Sequence, residues 1–226
     1  MINIAIDGPA GAGKSSVAKA VSKKLGYKYI DTGAMYRTIA FYILKNNIDY
    51  NLNKDFLNKI KIDLKFINDE QHLFLNNTDI TNKIRTEEIS MLTSKISSKD
   101  YIRKFLLNLQ KDISSKNNVI MDGRDIGSVI LPNAQVKIFL TASAEKRAKR
   151  RFTELLEKGT ICSYDKIFED IFKRDENDTT RKIAPLKMAN DAILIDTSKL
   201  NLEQSINTVY NTIISKLNKK GMKKFD

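Results

Sequence analysis

Gly8-Pro9-Ala10-Gly11-Ala12-Gly13-Lys14-Ser15, followed by Ser16, is the stretch on which the fold turns. It fits the pattern G-x-x-x-x-G-K-[S/T], and its setting carries more weight than the match. A short apolar run at residues 2–6 precedes it as a strand, and Val17, Ala18, Val21 and Leu25 follow at helical spacing. Glycines let successive N–H groups point inward, while the helix presents its free N–H groups and positive dipole end to the same place. The stretch from Gly8 to Ser16 is therefore a phosphate cradle. Lys14 would reach the outer phosphates of a nucleoside triphosphate, and the hydroxyl of Ser15 or Ser16 would face Mg²⁺.

The same rhythm continues along the chain. Residues 27–30, 118–122, 135–140 and 192–195 read as further strands. Helical patterns lie between them (Ile39, Tyr42 and Ile43; Ile102, Phe105, Leu106, Leu109 and Ile113), and Ile206, Val209, Tyr210, Ile213 and Leu217 follow the last. Such alternation predicts an α/β fold with a parallel sheet covered by helices on both faces. Two stretches depart from it. Ile62, Leu64 and Phe66, a polar Asn68-Asp69-Glu70-Gln71 turn, then Leu73 and Leu75 read as a hairpin in a small antiparallel insert. Residues 145–185 are charged and helical, a flap rather than core. The tail after Ser215, with Lys216, Lys219, Lys220, Lys223, Lys224 and Asp226, is expected to be solvated and frayed.

The chain has 226 residues, 39 Lys plus Arg against 27 Asp plus Glu, and a formal net charge of +12. That length suits one α/β domain with an insertion and a full core without covalent staples. A single cysteine, Cys162, excludes a disulfide framework and a four-cysteine zinc site; a single histidine, His72, excludes chemistry needing two imidazoles. No apolar run approaches the roughly 20 residues of a membrane-crossing helix. The N-terminus shows no basic leader with a cleavage site, so a cytoplasmic protein without a membrane partner is expected.

Among nucleotide-binding classes, a GTP-reading switch needs an Asn-Lys-x-Asp segment, and none occurs. Hydrolases often end a strand in Asp-Glu, where the Glu polarises water; here the strand at 118–122 ends in Asp122-Gly123. Asp122 can hold Mg²⁺ through water, but no adjacent base recruits a hydrolytic water. Transfer to a bound acceptor is favoured over hydrolysis. Another small-molecule kinase, or a basic ATPase or nucleic-acid-binding regulator, are the rival readings.

Asp31-Thr32-Gly33-Ala34-Met35-Tyr36-Arg37 follows the second strand, where Thr32 can cap a helix. Asp122-Gly123-Arg124-Asp125-Ile126-Gly127 follows the third. Both would meet the phosphate loop at the carboxyl ends of parallel strands. With Ile6-Asp7 leading into the loop, Ile84-Arg85-Thr86-Glu87, and Arg174-Asp175 through Asp178 to Arg181 before Ala184-Pro185-Leu186, the chain resembles bacterial-type cytidylate kinases over nearly its whole length.

That resemblance implies a P-loop NTPase fold: a five-stranded parallel sheet, an acceptor-binding insert carrying a small antiparallel sheet, and a helical lid. It implies a single domain with core at about 1–31, 102–145 and 186–220, insert at 32–101 and lid at 146–185. The implied reaction passes the γ-phosphate of ATP to CMP or dCMP, with Mg²⁺, in a monomer. Lys14, Asp122, Arg124 and Arg181 would carry the chemistry. Ser94, Arg103 and Asp125 would read cytosine, Arg37, Arg124 and Arg181 would hold the acceptor phosphate, and Arg174 and Asp178 would contact the pentose. Thr32 and Tyr36 would line the pocket. Local sequence alone leaves Asp125 equally suited to capping, and Ser15 and Ser16 equally suited to the metal. Many relatives read Gly-Lys-Gly-Thr where this chain has Lys14-Ser15-Ser16.

Arg147, Arg150 and Arg151 share one helical face of the flap and are expected to close over ATP, Arg147 and Arg150 contacting it. The flap lacks interleaved aromatics for stacking bases, so no nucleic-acid partner is expected. Of nine Arg, only Arg85 is left without a role.

Overall fold

The computed structural model describes residues 1–157 and 159–221. Its strands are β1 (Asn3–Asp7), β2 (Lys28–Asp31), β3 (Ile62–Ile67), β4 (Glu70–Leu75), β5 (Thr78–Asp79), β6 (Val119–Gly123), β7 (Val136–Thr141) and β8 (Ile193–Asp196). Its α-helices are α1 (Lys14–Leu25), α2 (Thr32–Lys45), α3 (Glu87–Ile96), α4 (Asp100–Lys116), α5 (Ala144–Glu157), α6 (Tyr164–Thr180) and α7 (Leu202–Lys219).

Five strands form one parallel sheet in the order β2-β6-β1-β7-β8. Strands buried on both faces need apolar side chains in both directions, which is why they read as runs rather than alternations. Ile4, Ile6 and Ile120 pack with α1 and α7, while Ala5, Val119 and Met121 pack with α2 and α4. From β1 the chain passes over β6 to the edge strand β2, then reverses, returning to β6 and crossing β1 to reach β7. Registers of Ile6 with Asp122, Asp7 with Gly123, and Asp31 with Asp122 bring three strand ends level. A crevice outside these carboxyl ends is where such a sheet binds ligands.

The insert is a three-stranded antiparallel sheet, β3-β4-β5. Its first turn is tighter than the sequence suggests. Only Asn68 and Asp69 are in the turn, both with positive φ (51° and 62°), and Glu70 and Gln71 already belong to β4. This is the two-residue turn whose twist matches a hairpin, and Asn and Asp tolerate it. The inner face (Ile62, Leu73, Leu75) joins the same apolar cluster as α2.

Two expectations are corrected. Asp31, not Thr32, caps α2: its carboxylate accepts the N–H of Ala34 at 2.9 Å. The chain beyond Ser215 is not frayed at once, because α7 continues to Lys219 with Leu217 fully buried. Lys223, Lys224 and Asp226 lie outside the described residues.

Candidate active site

The phosphate loop follows from β1 and α1. Gly8 is pressed on β7: a Cβ there would stand 2.0 Å from the Leu140 carbonyl oxygen. Gly13 takes a left-handed φ of 85° where α1 begins, a conformation glycine adopts without penalty. Lys14 is buried and donates to the Pro9 carbonyl at 2.7 Å. Burial first, then the Arg124 guanidinium, pull its pKa down to about 7, against the opposing pull of Asp122. Ser15 Oγ donates to Asp122 Oδ2 at 2.8 Å, and Tyr29 donates its hydroxyl to Oδ1 at 3.2 Å. Burial, reinforced by Asp31, pushes the Asp122 carboxyl up to about 6. No comparable bond joins Ser16 to Asp122.

One carboxylate and a hydroxyl beside a phosphate cradle are hard oxygen donors of the kind Mg²⁺ shares with substrate phosphates. No group of three or more His, Cys, Asp or Glu able to enclose a metal exists among the described residues.

A second cluster of charged side chains gathers around Asp125. Its carboxylate forms a buried ion pair with Arg103 and faces Arg181 Nη2 at 3.6 Å. Its backbone stands at the N-cap position of a π-helical turn, Ile126–Ile130, but its side chain caps nothing. Arg103 also donates to the Ser97 carbonyl at 3.1 Å and lies 5.7 Å from the Tyr36 ring centre. Burial pushes the Tyr36 hydroxyl up to about 12. Arg181 donates to the Ala184 carbonyl at 2.7 Å and to Ser97 Oγ at 3.4 Å. Arg124 Nε donates to Asp178 at 2.8 Å. Arg174 forms no ion pair among the described residues. Burial, with Arg124 and Arg37 nearby, lowers its pKa to about 10.

Three side chains here end in buried polar atoms with no hydrogen bond among the described residues: Ser94 Oγ, Arg37 Nη1 (3.5 Å from Asp31 Oδ2) and Arg181 Nη2. Orphaned buried polar groups are uncommon and call for an explanation. Thr32 is different, because its hydroxyl is already committed to the Asp122 carbonyl at 2.8 Å.

The arginines of α5 are placed otherwise than expected. Arg147 is buried, donating to Ala142 and Ala10 carbonyls at 2.9 Å each and pairing with Asp175. Arg150 donates to the Thr197 carbonyl at 2.7 Å and lies 3.5 Å from the Ala12 carbonyl oxygen. Both are held by backbone carbonyls, among them those of Ala10 and Ala12 in the phosphate loop. Arg151 alone turns outward, to Glu154. α5 and α6 share a small apolar cluster of Ala148, Ile167 and Ile171, against which Cys162 packs. His72 pairs with Asp79 within the insert.

Several residues of the site carry no local signal. Asp175 accepts the N–H of Ala10 in the phosphate loop at 3.2 Å. Asp31 Oδ2 receives Arg85 at 3.2 Å and Arg37 at 3.5 Å, which gives Arg85 a place. Gln71 of the insert accepts the Asp31 N–H at 2.7 Å and donates to its carbonyl at 3.2 Å. Tyr29 and Ser97 belong with them.

The sequence family model described as "Cytidylate kinase" matches residues 4–215. A cytidylate kinase of Carboxydothermus hydrogenoformans is 51% identical over 208 residues, covering 91% of this chain and 94% of the relative. One of Caldicellulosiruptor bescii is 49% identical over 211 residues, covering 92% and 93%. A solved structure of an uncharacterized protein from Eubacterium ventriosum superposes with a TM-score of 0.52 at 13% identity, covering 94% of this chain and 98% of that one. That last likeness concerns the fold alone.

Proposed function

The chain belongs to the cytidylate kinase family and phosphorylates CMP and dCMP with ATP; we propose that it does so in the crevice at the ends of β1, β2 and β6. The residues from Gly8 to Ser16 hold the donor phosphates, joined by Arg147 and Arg150. Ser94, Arg103 and Asp125 read the cytosine, and Arg37, Arg124 and Arg181 hold the acceptor phosphate. Arg174 and Asp178 take the pentose, and Tyr36 and Thr32 wall the pocket. What carries the acceptor assignment is the set of buried atoms on Arg37, Ser94 and Arg181 that make no hydrogen bond among the described residues, the two guanidinium nitrogens meeting carboxylates only at 3.5 and 3.6 Å. A ligand rich in acceptors satisfies all three.

The chemistry asks little of a base. An acceptor phosphate oxygen is already an anion, so no proton must leave it before attack. Asp122 followed by glycine suffices, without a glutamate to activate water. Lys14 exchanges the Pro9 carbonyl for a donor phosphate, and Arg124 and Arg181 neutralise charge on the group in flight. Asp122 and Ser15 would hold Mg²⁺, which supplies charge neutralisation across the outer phosphates when bound. Asp125 offers a carboxylate where cytosine has its amino donor; uracil has an acceptor there and is disfavoured.

The division into core, insert (32–101) and lid (146–185), a monomeric state, a cytoplasmic location and the absence of a nucleic-acid partner are parts of the same reading. No helix among the described residues is long and apolar enough to cross a membrane. The test is product formation with ATP, Mg²⁺ and, separately, CMP, dCMP, UMP and AMP. CDP and dCDP should accumulate fastest. ATP consumption that ignored every monophosphate but rose with DNA or RNA would overturn the reading.

A further inference from the structure

Asp7 closes β1 one residue before the phosphate loop, yet its side chain turns toward the acceptor side. Its carboxylate is buried, and both oxygens are occupied. Oδ1 accepts the N–H of Ile126 and Oδ2 the N–H of Gly127, each at 2.7 Å. Two consecutive amides aimed at one point form an anion-binding concavity, and here a protein carboxylate fills it. Burial pushes Asp7 up to about 6, while both amides pull the other way.

The residue just before those amides is Asp125, with φ −147° and ψ 27°, conforming to neither strand nor helix. No sheet ladder holds Asp125 in place. On its C-terminal side the backbone is fixed by Asp7, while its carboxylate meets Arg103 and Arg181. We propose that Asp7 is a positioning residue for acceptor selectivity, holding the 126–127 amides so that Asp125 stands where it can read the base. This inference rests on the acceptor-site reading above. Asparagine cannot replace the carboxylate, since it keeps one acceptor but turns an N–H₂ group toward the second N–H. Glycine at 127 serves the same joint. A Cβ there would stand 3.3 Å from Asp7 Oδ2 and 3.1 Å from Lys137 Cδ.

The experiment measures kcat and KM for ATP, CMP and UMP in Asp7→Asn, Gly127→Ala and Asp125→Ala. Asp7→Asn and Gly127→Ala should each raise KM for CMP about tenfold, the scale of one mispaired buried hydrogen bond. Both should shrink the CMP-to-UMP ratio of kcat/KM while KM for ATP stays within about twofold. If Asp125→Ala lowers the ratio and the other two leave it intact, the positioning role is overturned and the site reading stands. An intact ratio in Asp125→Ala overturns the site reading itself. Equal rises in KM for ATP and CMP would show general loosening and also overturn the role. Should Asp7→Asn not fold, Gly127→Ala decides alone.

Discussion

Ser94 holds a buried hydroxyl oxygen with no hydrogen bond among the described residues. Such a group costs on the order of 1–3 kcal/mol until a ligand arrives. Ser94→Ala should therefore leave the melting temperature of the free enzyme unchanged or raise it by a few degrees. The same change should raise KM for CMP roughly tenfold. Thermal melts and initial rates check the pair; a fall in stability with KM untouched would make Ser94 a structural residue. The phosphate loop was legible because its chemistry is contiguous: cradle, lysine and hydroxyls lie within nine residues. Asp7 and Asp175 were not, because the amides they accept are 119 and 165 residues away. Their neighbours in sequence say nothing about a partner across the sheet.

Elements were located to within about a residue wherever burial on both faces leaves an apolar run, as for β1, β6 and β7. Errors arose where charge masked a period. Lysines at the end of α7 suggested a solvated tail, but Ile213 and Leu217 still keep the buried spacing. In the flap, the same charge hid contacts of another kind: backbone carbonyls of the phosphate loop take Arg147 and Arg150. Asp178 of α6 pairs with Arg124, the residue that follows β6. Burial works to raise the Asp178 carboxyl, but Arg124, then Arg181 and Arg174, outweigh it and hold it below its ordinary 3.8. A carboxyl depressed in the fold stabilises fully above its unfolded pKa and loses that stability as pH falls through its folded one. Asp178→Asn should therefore lose stability at pH 6 and lose less than the parent between pH 5 and 3. Denaturant midpoints at those pH values check it; parallel curves would remove Asp178 from the acid response.

Across the whole molecule, +12 divides by residue type. Apart from the buried Lys14 and Lys137, the described lysines lie at or near the surface, as Lys104 with Asp100 and Lys116 with Asp112 do, and report solvation. Arginines other than Arg85 and Arg151 go inward: Arg103 and Arg147 are buried, and Arg124, Arg174 and Arg181 crowd Asp178. Crowded like charges with open hydrogen-bonding capacity are stabilised by an anion. CMP at about 100 times its Kd should add roughly 2.7 kcal/mol, or about 5–10 °C in melting temperature for a chain of this size. UMP at the same concentration should give clearly less. Equal shifts would place the selectivity in catalysis rather than in binding.

The turn at Asn68-Asp69 reaches further than its exposed position suggests. Gln71 is the second residue of β4, and it alone carries both bonds from the insert to the Asp31 backbone. Side chains alternate along a strand, so lengthening the turn by one residue would send Gln71 to the opposite face and bring a neighbour into its place. Asp31 would lose its support at the backbone, while its carboxylate must still serve the cap, Arg85 and Arg37. Surface turns usually absorb insertions freely. In descendants of this chain, length changes should accumulate in other loops and spare this one, because a slip in the hairpin is felt at Arg37 and Arg85 through Asp31.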